Sequence, residues 1–192
     1  MATVPEAAAT PERRISPLLF GTVLFLASEV LFFGSLFAAY FSLRARSEVW
    51  PPPDVDLDLL IPGIGTILLV LSSVTFQVGV NAGGRGRRDG LGRWIAASLV
   101  LGTVFLVLQL WDYTRLGFEV SSHAYGTIFF AMTGFHGLHV AAGIVLMLVI
   151  LGRLAQGAYH GGRVEGAHAI GYYWHFVDVV WIVLFATLYV LR

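Results

Sequence analysis

Gly171-Tyr-Tyr-Trp-His-Phe-Val-Asp-Val-Val-Trp181 opens the last long apolar segment of the chain, and it sets His175 and Asp178 into helix that lipid should surround. Residues three apart share a helix face, so the imidazole and the carboxylate can pair or meet one neighbour. An ionisable residue at membrane depth costs on the order of 3 kcal/mol on insertion scales. Such groups therefore face other protein, and the fold turns on which helices supply it.

Composition points the same way. Of 192 residues, 57% are hydrophobic and 12% charged, with a mean hydropathy of +0.77. A soluble domain carries about 25% charged residues, so this chain cannot cover itself with polar surface and belongs in a membrane. Its formal net charge is zero and its twelve basic residues are all Arg, which gives no reason to expect a nucleic-acid partner. The absence of cysteine excludes disulfides, iron–sulfur clusters, thiolate metal sites and a Cys nucleophile. Residues 1–16 are rich in Ala, Pro and Glu and lack the basic-then-apolar order of a signal peptide. They read as a short disordered cytoplasmic tail ahead of a membrane domain over 17–192.

A spanning helix needs about 20 apolar residues, and five segments qualify: 17–43, 59–80, 93–116, 124–151 and 169–191. The link after the first contains Trp50-Pro-Pro-Pro53, which stops a helix and favours an extended strut. Asn81-Ala-Gly-Gly-Arg-Gly-Arg-Arg-Asp-Gly90 reads as a flexible basic turn. With five spans, Arg13, Arg14, Arg85, Arg87, Arg88, Arg93, Arg153 and Arg163 share one side, against Arg44, Arg46, Arg115 and Arg192 on the other. The Arg-rich side faces the cytoplasm. The fold expected is therefore an all-α, five-helix transmembrane bundle with its N-terminus cytoplasmic and its C-terminus outside.

Five residues could carry chemistry inside the spans. Glu29 lies about twelve residues into the first, or roughly 18 Å at 1.5 Å per residue, near the bilayer midplane. Its plain reading is a protonated, hydrogen-bonded acid that holds helices together; its sharper reading is a proton-handling group. His136 and His139 sit in Thr133-Gly-Phe-His-Gly-Leu-His139, where Gly134, Gly137 and Gly143 admit a neighbouring helix. With His175 and Asp178 they read first as a buried polar network and second as a route for proton exchange. A four-helix di-metal site wants a Glu from each of two helices and Glu-x-x-His from each of the other two, a set the spans do not complete, so no metal or haem is assigned to the chain. Gln109, Asp112 and Tyr113 read as a polar turn at headgroup level. Trp50, Trp94, Trp111, Tyr113 and Tyr125 read as interface anchors. Trp174 and Trp181, seven apart, read as packing on one face of the fifth helix. No Ser-x-Gly elbow, phosphate loop or His-Glu-x-x-His occurs.

These segments together resemble subunit III of the haem-copper oxidases, most closely the cytochrome c oxidase form. The likeness rests on Ser28-Glu-Val-Leu-Phe-Phe33 running on to Ala39-Tyr-Phe41, on the Trp-Pro-Pro-Pro link, and on Tyr125-Gly-Thr. Thr133-Gly-Phe-His-Gly-Leu-His-Val140 and Tyr173-Trp-His-Phe-Val-Asp-Val-Val-Trp181 are its most specific parts. The resemblance implies a helical subunit with no redox centre of its own, haem and copper being held by partner subunits. It implies oxidase subunits I and II, membrane lipid and, as an extension, a respiratory supercomplex as partners, in the inner membrane of a bacterial cell. Roles implied are stabilising the catalytic subunit, holding structural phospholipid and supporting proton uptake. Glu29 matches the family's buried, carbodiimide-reactive carboxylate, and His136, His139, His175 and Asp178 match its helix motifs.

The chain departs from the family in two places. Seven-helix relatives have two helices ahead of the one that matches Glu29, and their lipid cleft lies beside that pair. Gln77-Val-Gly-Val-Asn81 stands where many relatives have a Trp followed by paired His. The related reading is the equivalent subunit of a quinol oxidase or nitric oxide reductase complex. A self-contained haem protein built on His136, His139 and His175 is a different class. So is a proton transporter built on Glu29, for which one acid without inverted repeats makes a poor path.

Overall fold

The computed structural model describes residues 16–191. The tail expected over 1–16 falls almost wholly outside them, as do Arg13, Arg14 and Arg192 of the orientation count. Five helices follow in order: α1 (Pro17–Arg46), α2 (Leu60–Gly84), α3 (Arg88–Tyr113), α4 (Ala124–Ala155) and α5 (Glu165–Phe185), the last continued by a π-helical turn at Ala186–Val190. All five are long and apolar enough to cross a bilayer, and no strand occurs among the described residues. The chain is an all-α, multi-pass membrane bundle.

Several helix ends outrun the apolar segments that mark them, although α3 stops at Tyr113, short of the 116 expected. α2 reaches Gly84 and α3 begins at Arg88, so the stretch expected to be a flexible turn is cut to three residues, with Gly86 at φ 77° taking the left-handed corner. Hydropathy sees the hydrocarbon layer, whereas backbone hydrogen bonding continues through the headgroups. Arg88, at the start of α3, donates from Nη2 to the Leu154 carbonyl at the end of α4, 2.7 Å away. That bond satisfies one of the carbonyls a helix end leaves open.

α5 is the central helix, packing on α1, α2 and α4, while α2 and α3 form the tightest pair. Ridges of large side chains on α5 meet small residues on its neighbours. Trp174 is fully buried; a Cβ on Gly102 of α3 would stand 2.8 Å from its ring, and one on Gly143 of α4 would run into it. Its indole N–H donates to Ser72 Oγ of α2 at 3.0 Å. One turn-pair further on, Trp181 donates to Thr66 Oγ1 of α2 at 2.8 Å, so the antiparallel helices are pinned at two levels. Gly134 differs from Gly137 and Gly143, since a Cβ there would meet nothing within 4 Å. Trp181→Phe drops one hydrogen bond and part of a buried ring, and should cost about 1–3 kcal/mol. Thermal release of the chain from detergent-purified complex measures that loss, which Thr66→Val should not deepen when added.

The outer end of α5 is tied down by the π-helical turn. There the Thr187 and Leu188 carbonyls accept from Tyr40 of α1 and Tyr125 of α4, each at 3.4 Å. Arg44 donates to the Leu191 carbonyl at 2.9 Å. Tyr125 is therefore core rather than an interface anchor, because its hydroxyl has a carbonyl to reach inside the bundle. Trp50 is also drawn in, its ring set edge-on between Tyr40 and Tyr125 at 5.4 and 5.1 Å. Val55 and Leu57 of the same link are buried beside it. Trp94 and Trp111 remain exposed near the two ends of α3, where aromatic rings suit the membrane interface.

Candidate polar sites within the bundle

The five ionisable residues expected to form one network separate into three places. Glu29 of α1 and His139 of α4 meet at 2.9 Å, Oε2 to Nε2, with side chains 17% and 18% exposed. His139 Nδ1 lies 2.7 Å from the Phe135 carbonyl of its own helix. A carbonyl can only accept, so Nδ1 carries a hydrogen and the tautomer is set. Nε2 then either accepts from a protonated carboxyl or, in the imidazolium, donates to a carboxylate. Both arrangements hold one proton between the two groups and leave the pair neutral overall, the form in which two titratable groups are cheapest inside a membrane. Phe32, Phe33 and Tyr173 ring the imidazole at 6.2, 5.1 and 6.4 Å, and the Tyr173 hydroxyl donates to the His139 carbonyl at 2.8 Å.

His175 lies on the opposite flank, between α5 and α2. Its Nε2 is 3.1 Å from Gln77 Oε1 and its Nδ1 is 2.5 Å from Ser73 Oγ. The amide oxygen accepts, so Nε2 carries the hydrogen and Nδ1 accepts from the Ser73 hydroxyl. Gln77 Nε2 then donates to Asn81 Oδ1 at 3.0 Å. Asp178, one turn along α5, is buried beside the same Ser73 hydroxyl. That hydroxyl's single proton is committed to His175, and neither Asp178 oxygen receives a hydrogen bond from a described residue. The two residues thus share a neighbour instead of pairing.

His136 stands apart from both. It is 0% exposed, stacked on Trp181 at 4.9 Å and edge-on to Phe105 at 5.8 Å. Neither ring nitrogen has a hydrogen-bond partner among the described residues. Among the described residues no three His, Asp or Glu side chains gather as a metal site.

A fourth polar cluster joins the Gln109, Asp112 and Tyr113 group to Thr133 of α4, a partner the sequence did not indicate. Gln109 and Asp112, expected at headgroup level, are buried. Gln109 Nε2 donates to the Thr133 carbonyl at 2.7 Å and to the Tyr113 hydroxyl at 3.2 Å; Tyr113 donates to Thr133 Oγ1 at 2.7 Å. Gly137 makes room for this, since a Cβ there would lie 3.3 Å from Gln109 Oε1. The i, i+4 spacing of Gln109 and Tyr113, and of Ser73, Gln77 and Asn81, was the available sign that each set shares one helix face.

A groove of about 870 Å³ runs between α1, α4 and α5, lined by Phe25, Ala142, Val145, Leu146, Ile170 and other chiefly apolar residues.

Residues 11–192 match the family model of cytochrome c oxidase subunit III. A probable cytochrome c oxidase subunit 3 of Nocardia farcinica is 43% identical over 176 residues, covering 90% of this chain and 87% of the relative. The probable subunit 3 of Mycobacterium bovis is 41% identical over the same coverage. The cytochrome c oxidase subunit 3 of Thermostichus vulcanus is 40% identical over 174 residues, again 90% and 87% of the two chains.

Proposed function

Since the chain belongs to the cytochrome c oxidase subunit III family, we propose that it docks on oxidase subunits I and II in a bacterial inner membrane, stabilises the catalytic subunit and supports proton uptake through Glu29 and His139. It is a subunit of an oxygen-reducing oxidase, and the catalytic chemistry, with its haem and copper, lies in other subunits. The observation that carries the proton role is the 2.9 Å contact between Glu29 and His139 near the middle of the spans. A pair that holds one proton between two sites can take up or release it by a short transfer, without an unpaired charge crossing hydrocarbon. The excess of Arg at the α2–α3 and α4–α5 connections supports a cytoplasmic N-terminus. The apolar groove between α1, α4 and α5 suits the acyl chain of a structural phospholipid, because it offers contact area and little to bond a polar ligand.

Glu29→Gln tests the proton role. The amide can still donate to His139 Nε2, so the subunit should assemble and stay bound, but it can no longer give up a proton. Flow-flash measurement of proton uptake by the whole oxidase should show a slower rate, and activity should fail after fewer turnovers. Unchanged uptake and unchanged lifetime would reduce the pair to helix packing.

A further inference from the structure

The imidazole of His123 joins three segments at one end of the bundle. It is the N-cap of α4, where Nδ1 accepts from the Gly126 N–H at 2.8 Å. Its Nε2 faces Asp54 of the 47–59 link, 3.6 Å away. Its ring lies 5.4 Å from Phe118 of the α3–α4 loop and 6.0 Å from Tyr125 of α4. Gly126 lets the joint close, since a Cβ there would stand 2.6 Å from the Glu119 carbonyl and 3.4 Å from the imidazole. Tyr125 in turn carries the Trp50 ring of the link. On the orientation proposed above, this is the outer face.

A histidine N-cap differs from the usual Ser, Thr, Asp or Asn, because it works in one protonation state alone. To accept from Gly126, Nδ1 must offer its lone pair, so the ring is neutral and its hydrogen sits on Nε2, towards Asp54. A second proton has only Nδ1 to occupy. Two donors then confront each other, the Gly126 N–H loses its partner, and a cation stands at the positive end of the α4 dipole. Asp54 draws the imidazolium the other way, but its side chain is 63% exposed, and so wet an ion pair gives little back. The titratable groups around the ring are Asp54 from the link, Tyr125 from α4 and Glu119 in the loop, the last through its backbone carbonyl. The joint is therefore held above the pH range in which imidazoles titrate, and it is lost as pH falls through that range.

We infer that His123 is an acid-sensitive clasp, whose protonation uncaps α4 and loosens the 47–59 link from the bundle. The clasp is independent of the proton role of Glu29; only the side of the membrane it senses rests on the orientation. Amide hydrogen exchange, read by mass spectrometry on the intact oxidase from about pH 8 to about pH 5, tests it. Corrected for the intrinsic dependence of exchange on pH, protection of segments 50–57 and 123–127 should fall severalfold with acid. Segment 133–140 of α4, away from the joint, should stay level. His123→Asn keeps a cap acceptor that does not titrate, so its protection should stay level throughout. Asp54→Asn removes the anion that favours the imidazolium, so the loss should move to lower pH. Level protection in the unaltered complex, an equal fall with His123→Asn, or a parallel fall over 133–140 would each overturn the clasp. An unmoved midpoint with Asp54→Asn would overturn the part given to the carboxylate.

Discussion

Oxidase carrying Trp174→Ala in this subunit should lose the chain at a temperature lower by roughly 10 °C. A buried Trp truncated to Ala costs about 3–5 kcal/mol, and each kcal/mol shifts the midpoint by about 2–4 °C in a chain of this size. The scale was measured on soluble proteins, yet the packing loss carries over, because lipid cannot enter a closed interior to refill it. Trp174 touches Gly102 of α3 and Gly143 of α4 and bonds Ser72 of α2, so its removal opens a void that four helices share. Gly143→Val should do comparable harm from the other side, by forcing the indole out of its slot. Trp174→Phe separates the contributions, since most of the ring remains and the hydrogen bond goes, for about 1 kcal/mol. Release of the chain during a thermal ramp, followed by gel filtration, ranks all three. Equal midpoints for Trp174→Ala and the unaltered complex would show that the four-helix junction is not what holds the bundle.

His139→Leu should be the most damaging change at the α1–α4 contact. It removes the group that shares a proton with Glu29 and leaves a carboxyl in hydrocarbon with no partner. Leaving a buried polar group unpaired costs about 1–3 kcal/mol, and α1 has few buried residues, Phe33 and Tyr40, its other tethers being the Tyr40 and Arg44 bonds to the outer end of α5. Limited proteolysis at the 47–59 link, which joins α1 to α2, should speed up as α1 loosens. Combining His139→Leu with Glu29→Leu should restore protection, because two apolar groups replace two polar ones and nothing is left unsatisfied. Failure of the double change to protect would show that aromatic packing around the imidazole, and not the shared proton, fixes α1.

The five spans were readable because each is a long apolar run, and a bilayer imposes that length on any helix that crosses it. Their ends were not, because Arg88 and Gly84 keep helical hydrogen bonds while looking like loop. Gln109 and Asp112 stood out as polar residues at the end of the third span, but that both are buried was not legible, because it depends on which helix faces them. Glu29 and the three intramembrane histidines stood out individually as costly residues. Which acid meets which imidazole depends on α1 lying against α4 and α5, and no property of a single segment states its neighbours. His136 shows the limit most clearly, since its pattern matches that of a ligand or network member while its surroundings are two aromatic rings.

The placement of α1 also bears on how the subunit is made. α1 is the first of the five helices in chain order and buries the least, and its packing partners are α4 and α5, the last two. Nearly 80 residues separate Arg46 from Ala124, and at about 5–20 residues per second of synthesis that gap lasts roughly 4–16 seconds. Through that interval α1 resides in the bilayer with the Glu29 carboxyl awaiting its imidazole. The α1 contacts are thus the last of the bundle to become available, and they close only once α4 and α5 have been made.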